Sequence, residues 1–180
     1  SVFALMLVKR YFRHLVPASR EFGDDIGEYA AEARVLALGE SFEFVDVYRP
    51  FRGPWMGRRV DVWRAADRKT IALVSESVEE SSSPNETVLF SVLDDNQHLT
   101  TTDNELAADP RGLRGLLARP GATFRELYRT HQARMKSLGE VPVTMGDADP
   151  VAAIEDLDRH HVQQLVDAGL ARYRNERQTV

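Results

Sequence analysis

The feature of this sequence that most restricts its fold is a period-two pattern of apolar side chains, repeated in several short segments between residues 41 and 102. In one segment Val60 and Val62 fall on one face and Trp63 on the other. Such alternation is typical of a β-strand with two different faces. The connections between segments are short, whereas parallel neighbours need a long crossover. We therefore predict an antiparallel meander of about five strands over residues 41–102.

Helical patterns flank this predicted sheet on both sides. Residues 24–38 carry a modest apolar stripe at helical spacing and stop at Gly39, a residue common just past a helix end. After the sheet, Thr123 and Glu126 form a capping-box pattern in front of a second apolar stripe that ends at Leu138. Because one face of an antiparallel sheet is commonly covered, we expect helices to pack on one face.

Two shorter helices are predicted from Asp-Pro pairs, in which aspartate caps a helix and proline takes its first position. Asp109-Pro110 precedes Leu116 and Leu117, and Asp149-Pro150 precedes the last apolar stripe of the chain. The predicted fold class is therefore α+β, with a meander sheet of about five strands and flanking helices at both ends of the chain. The predicted domain is single and covers residues 24–175.

The first twenty residues differ from the rest of the chain in charge and hydropathy. Residues 2–8 are all apolar, Lys9, Arg10 and Arg13 follow them, and residues 1–20 contain no acid. One interpretation is an amphipathic N-terminal helix over residues 1–20 that packs against the domain. Its apolar positions recur near helical spacing at Leu5, Val8, Phe12, Leu15 and Val16.

The other interpretation of this segment is the end of a truncated transmembrane helix. An apolar run that stops at a Lys/Arg cluster is typical of a span that ends on the cytoplasmic side. Seven apolar residues cannot cross a bilayer alone, since a crossing needs about 20. This interpretation predicts a domain on the cytoplasmic side, anchored in the membrane through a segment at or before residues 2–8.

Composition and motifs exclude several kinds of site. The chain has 180 residues and a net charge of -5, whereas a dedicated nucleic-acid binder usually carries a basic surplus. The absence of cysteine excludes disulfides, thiolate catalysis and cysteine-ligated metals. The sequence also lacks a P-loop, a G-x-S-x-G elbow and the H-E-x-x-H zinc motif. We predict no nucleic-acid partner, no cofactor and no metal site.

Two histidines are the candidate catalytic residues. His131 lies on the apolar stripe of its predicted helix, so it is either a base facing a pocket or a buried, hydrogen-bonded histidine. His98 follows the acidic turn at Asp94 and Asp95 and precedes a threonine-rich strand. An acid, a base and a nucleophile could therefore lie close to one another there. The structural interpretation is the better supported for both histidines.

A cluster of basic and aromatic residues is the candidate binding site. It comprises Arg52, Trp55, Arg58 and Arg59 and lies in and after a loop rich in proline and glycine. Arginine and aromatic side chains together can bind an anionic headgroup, a peptide or single-stranded nucleic acid. In the structural alternative, the arginines flank the edge of the sheet and the tryptophan packs.

Several features between Gly39 and Asn104 resemble those of an uncharacterised group of bacterial α+β proteins, many of which begin with a transmembrane helix. The shared features are a strand with Phe44 and Tyr48, the hairpin VDVWRAADRKTIALV, and a strand that ends in LTTTDN before a helix. The chain departs from the pattern at Arg68, where the hairpin turn commonly has glycine. The resemblance implies a membrane anchor just upstream, and it carries no activity or site residues.

The absence of catalytic motifs and the charge pattern of the N-terminus together favour a non-catalytic domain near the cytoplasmic face of a membrane. Such a domain would bind a partner protein or ligand, or lie on the membrane surface itself. One alternative is an enzyme of unrecognised type with His131 or His98 in a cleft. Another is a soluble homo-oligomer with the N-terminal helix as its interface, since an oligomer interface also buries apolar surface.

Overall fold

A computed structural model describes most of the predicted domain. The described residues are 15–50, 57–77, 85–93, 98–104, 115–139, 142–144, 151–152, 163 and 167. Within these ranges the chain forms one mixed sheet of seven strands together with three helices. The α+β class is confirmed, and the sheet has seven strands where about five are predicted.

The strands follow one another across the sheet in chain order. Each pair of neighbours is antiparallel except β6 and β7, which run parallel. The strands are β1 (Leu15–Pro17), β2 (Phe42–Pro50), β3 (Arg58–Ala65), β4 (Ile71–Ser77), β5 (Glu86–Val92), β6 (His98–Thr102) and β7 (Leu116–Ala118). Strands β2 to β6 are the antiparallel meander that the period-two pattern predicts.

The two additional strands lie at the edges of the sheet, and both correct a helix prediction. Leu15–Pro17 pairs with the end of β2, although Leu15 and Val16 were expected on an N-terminal helix. Leu116–Ala118 pairs with β6, although Leu116 and Leu117 were expected on a short helix. Three residues are too few to show a period, so leucine spacing cannot distinguish a strand from a helix turn there. Residues 1–14 of the predicted N-terminal helix lie outside the described ranges.

The three helices are α1 (Ser19–Phe22), α2 (Glu28–Gly39) and α3 (Phe124–Leu138). The predicted capping box starts α3: Thr123 Oγ1 accepts from the Glu126 amide, and the Glu126 carboxylate accepts from the Thr123 amide at 2.8 Å. Gly139 ends α3 with φ 67°, a left-handed conformation that favours glycine. Of the predicted last helix, Val151 and Ala152 are helical and most of the remainder is outside the described part.

The start of α2 differs from the sequence prediction because its cap comes from a distant strand. The helix begins at Glu28, and the Glu76 carboxylate of β4 accepts from the Gly27 amide at 2.9 Å and from the Ala30 amide at 3.4 Å. A Cβ atom on Gly27 would lie 2.3 Å from Glu76 Oε1, so only glycine leaves room for this carboxylate. Asp24 and Asp25, predicted to start this helix, precede it.

The sheet has two apolar faces, whereas the alternation predicts two different faces. The small residues Ala30, Ala33 and Ala37 of α2 and the first turns of α3 pack on one face, over Trp63 and Leu89. The opposite face has its own buried cluster, which contains Leu15, Tyr48, Val60, Val62, Ile71, Leu73, Val88, Phe90 and Val151. Helices α2 and α3 therefore pack on the same face of the sheet. A groove lies between them on this face.

The turn between β3 and β4 holds Arg68 in a left-handed conformation, which favours glycine. Arg68 adopts φ 58°, and its amide donates to the Ala65 carbonyl at 2.8 Å. This left-handed conformation costs an L-residue other than glycine about 1–2 kcal/mol. Glycine would fit the position without that steric cost, at the expense of a more flexible unfolded chain.

Candidate functional site

His131 lies on α3 and is fully buried, with its ring between Ser91 of β5 and Thr101 of β6. Its Nε2 lies 2.9 Å from Ser91 Oγ, and its Nδ1 lies 2.9 Å from Thr101 Oγ1. Burial, together with the smaller effect of the nearby Arg134 charge, lowers the pKa of His131 to about 3, so the ring is neutral at pH 7. The buried, hydrogen-bonded interpretation of His131 is confirmed.

The hydrogen bonds around His131 fix which nitrogen carries the proton. The Ser91 hydroxyl donates to the Lys69 carbonyl at 2.7 Å, because a carbonyl can only accept. His131 Nε2–H therefore donates to Ser91 Oγ, and Nδ1 accepts from the Thr101 hydroxyl. Arg134 in turn donates to Thr101 Oγ1 at 2.9 Å. Both ring nitrogens are used inside the domain, which leaves neither for a substrate.

The other sequence-predicted site residues are only partly described. Arg52, Trp55 and the side chain of His98 lie outside the described part of the chain, so their predicted roles stay predictions. Arg58 is 5% exposed and Arg59 is 4% exposed. The ligand-binding role of this cluster also stays a prediction, and its two described members are occupied by contacts within the domain.

Arg58 and Arg59 contact different parts of the domain. Arg58 Nε donates to Ser75 Oγ at 2.8 Å, and its Nη2 donates to the Ser75 carbonyl at 3.0 Å. Arg59 Nε lies 2.7 Å from Asp61 Oδ1, and its Nη1 donates to the Asp25 carbonyl. Burial raises the pKa of Asp61, and the hydrogen bond and charge of Arg59 oppose that rise. Arg59 therefore holds the segment before α2 against the sheet, whereas Arg58 joins β3 to β4.

A different set of residues forms the best candidate site, at the floor of a groove between α2, the start of α3 and the end of β6. Tyr29 donates its hydroxyl proton to Asp103 Oδ2 at 2.6 Å. Its oxygen also lies 2.7 Å from Thr87 Oγ1. The Thr87 amide donates to Asp103 Oδ1 at 2.7 Å. Each carboxylate oxygen of Asp103 is thus fixed by one donor and keeps capacity to accept from a ligand.

The groove has a volume of about 250 Å³ and mixed walls. Its apolar side chains are Ala33, Leu36, Ala122 and Phe124. The carboxylate-bearing residues are Asp103 at the floor and the exposed Glu32 on α2. Small ligand sites commonly combine such apolar walls with a few fixed polar groups.

Burial controls the protonation of the two titratable groups on the groove floor. It raises the pKa of Tyr29, and the Asp103 charge raises it further, so the phenol keeps its proton and acts as a donor. Burial also raises the pKa of Asp103, against the lowering effect of the hydrogen bonds from Tyr29 and Thr87. Perturbed groups in a cleft mark functional sites more often than other surface positions.

Sequence reasoning missed this site, although one signal lay within reach. Asp103 directly follows the end of β6, and a polar residue in a connection after a strand is a reason to examine that end. Tyr29 gave no such signal, because a tyrosine on an apolar helix stripe is typical of simple packing. Their contact joins positions 74 residues apart, and a pattern within one short segment cannot predict such a contact.

Comparisons with protein-family models, curated proteins and solved structures find no match to this chain. Within the described residues, His, Asp and Glu side chains form no group of three that could hold a metal ion. None of the helices described in the chain has the length and apolar character needed to cross a bilayer.

Proposed function

We propose that this domain is a non-catalytic binding module that holds a small ligand in the groove between α2 and the start of α3. The observation that carries the proposal is the Asp103 carboxylate, fixed by Tyr29 and Thr87 at the floor of a groove with apolar walls. A preorganised polar group costs little to order when a ligand binds, which favours affinity.

The chemistry of Tyr29 and His131 favours binding over catalysis. A nucleophile or general base needs a free lone pair and a pKa near the working pH. The pKa of Tyr29 is raised, so its phenol is a donor and not a base. His131 has both nitrogens engaged within the domain. These groups suit the orientation of a ligand more than its chemical conversion.

Nuclear magnetic resonance can test the groove with three probes of matched shape and different charge: benzylammonium, benzyl alcohol and benzoate. We expect at least one of them to shift the amides of Leu36, Ala122 and Phe124 in a saturable way. Ala122→Leu, which fills the groove, should abolish those shifts. Ala66→Leu, at an exposed turn, is the matched control and should leave them unchanged.

The proposal fails if none of the three probes shifts the groove amides. It also fails if Ala122→Leu binds the probes as well as the parent chain does. A melting curve for each variant shows that a lost shift reflects the blocked groove and not lost folding.

We further propose that the domain lies next to the cytoplasmic face of a membrane. The support is the apolar run at residues 2–8 with the basic residues that follow it. Leu15 pairs with β2, so six residues of chain, or seven Cα–Cα steps, separate Val8 from the sheet. An extended chain of that length reaches at most about 25 Å. A membrane that holds residues 2–8 would therefore lie close to the β1 edge of the domain.

Sedimentation of the whole chain with vesicles that contain anionic phospholipid tests this second proposal. We expect the parent chain to pellet with the vesicles and a Leu5→Asp, Leu7→Asp double variant to stay in the supernatant. Equal sedimentation of both proteins, or of neither, would contradict membrane proximity through this segment.

A further inference from the structure

We infer that the ligand of the groove is a small primary amine, bound as its ammonium ion with an apolar body against the walls. This inference rests on the proposed function and adds the chemical class of the ligand. It follows from the charges that face the groove, from the state of the α3 N-terminus, and from the shape of the cavity.

The described groove residues that carry charge are both acids. Asp103 lies at the floor and Glu32 at the α2 wall, and no described lining residue is basic. An ammonium ion between them would be attracted to both carboxylates, whereas an anion would be repelled by both. A cation near Asp103 would also oppose the burial that raises the pKa of this carboxyl.

The N-terminus of α3 borders the groove and is partly occupied by its own cap. Exposed amides at a helix start commonly bind phosphate or carboxylate groups. Here the capping box uses two of these amides: Thr123 Oγ1 accepts from the Glu126 amide, and the Glu126 carboxylate accepts from the Thr123 amide. The hydrogen bonds from Thr123 lower the pKa of Glu126, and the charges of Arg119 and Arg129 lower it further. The capped helix end therefore offers an anionic ligand fewer free amides than an uncapped helix start would.

The geometry at the floor matches an ammonium group. Asp103 Oδ1 accepts from the Thr87 amide and Oδ2 from the Tyr29 hydroxyl, which leaves acceptor capacity on each oxygen. An ammonium group carries three donors and no acceptor, so it can use that capacity without placing a lone pair against the carboxylate. The apolar body then lies against Leu36 and Phe124 within a groove of about 250 Å³.

Titration with the three matched probes gives the test. We expect benzylammonium to bind at least about tenfold more tightly than benzyl alcohol, as for one charged hydrogen bond. Benzoate should cause no shift at the groove. Asp103→Asn should weaken benzylammonium about tenfold or more, and Glu32→Gln by about two- to fivefold, as for an exposed ion pair. Neither variant should weaken benzyl alcohol to the same extent.

The control is Glu43→Gln on β2, which removes the same charge from an exposed side chain outside the groove. It should leave benzylammonium binding unchanged. Glu32→Gln keeps the test valid if Asp103→Asn fails to fold, because Glu32 is exposed. Equal or tighter binding of benzyl alcohol or benzoate at the groove overturns the amine inference and leaves the proposed function standing. The absence of binding by all three probes overturns both.

Discussion

The two long helices lie on the same face of the sheet, yet they are attached to it by opposite kinds of chemistry. The segment at the start of α2 is held by buried charges, namely Glu76 and the Arg59–Asp61 pair. The middle of α3 is held by the neutral ring of His131, which lies between Ser91 and Thr101, and Arg134 donates to Thr101 from one side. We call these the charged anchor and the neutral anchor.

The difference follows from what each helix lacks. The start of α2 has no side-chain cap of its own, so its amides require an acceptor from outside, and a carboxylate suits the positive end of a helix best. Helix α3 caps itself with Thr123 and Glu126. It therefore meets the sheet through its middle, where the neutral His131 ring avoids the cost of burying an ion at the centre of the contact. The two anchors should consequently respond differently to mutation and to acid.

The largest expected effect comes from removal of half of the charged anchor. Asp61→Ala leaves the Arg59 guanidinium buried without its carboxylate, and we expect the free energy of unfolding to fall by about 3–5 kcal/mol. Glu43→Ala breaks the exposed ion pair with Arg64, in which Glu43 is 62% exposed, and should cost less than about 1 kcal/mol. Urea unfolding of both variants measures the contrast. Similar losses of stability in the two variants would show that burial does not make the Arg59–Asp61 pair more important than the Arg64–Glu43 pair.

The neutral anchor should weaken in acid. The pKa of His131 is about 3 in the folded state against 6.5 as its ordinary value, so the unfolded chain binds the proton first as the pH falls. Stability from this group should therefore decrease by roughly 1.4 kcal/mol per pH unit below about pH 6.5. The contribution is fully present above that pH and falls until the pH approaches about 3.

Comparison with His131→Leu isolates this slope, because Asp61 and Asp103 act in the opposite direction. Their pKa values are raised in the folded state, so the folded chain binds those protons first and gains stability as the pH falls. Urea unfolding across the acid range should show a positive difference in slope between the parent chain and His131→Leu. Identical pH profiles would contradict a neutral His131 in the anchor.

A smaller effect is expected when the helix cap of the charged anchor is displaced without removal of a charge. Gly27→Ala places a Cβ atom within 2.3 Å of Glu76 Oε1, so the carboxylate must move away from the Gly27 and Ala30 amides. We expect a loss of about 1–2 kcal/mol, as for a lost helix cap. Gly23→Ala is not a suitable control because Gly23 has φ 53°. Ala31→Gly, within α2, instead measures the effect of an exchange between alanine and glycine on helix stability alone.

If Gly27→Ala proves as stable as the parent chain, Glu76 does not cap α2 in the way described. A double variant Gly27→Ala, Glu76→Ala sharpens the test. The double variant should lose less stability than the sum of the two single-variant losses, because both substitutions remove the same hydrogen bonds.

The smallest expected effect is a gain of stability beside the neutral anchor. Arg68→Gly relieves the left-handed conformation at φ 58° and should raise the free energy of unfolding by about 0.5 kcal/mol after the entropy cost of glycine. The turn leads to Lys69, whose carbonyl accepts from Ser91. The acid slope of His131 should nevertheless stay unchanged, and a changed slope would show that the turn and the anchor are coupled.

Prediction from sequence succeeded where one segment carries its own signal. The five central strands and the capping box of α3 depend on residues a few positions apart, whose side chains alternate or bond within one turn. It failed for the two edge strands, since three residues carry no period. It also missed both the cap from Glu76 and the floor of the groove. Those contacts span 49 and 74 residues, and only the completed sheet brings their partners together.

The chain-order arrangement of the strands has a consequence for how the domain folds. Each strand of the meander pairs with the strand just before it, so each step closes a short loop, and such local topologies fold quickly. The bond between Tyr29 and Asp103 closes a far longer loop and requires both ends of the meander. We therefore expect the groove to form among the last events of folding. A ligand bound there would select molecules that have finished folding and would slow their unfolding.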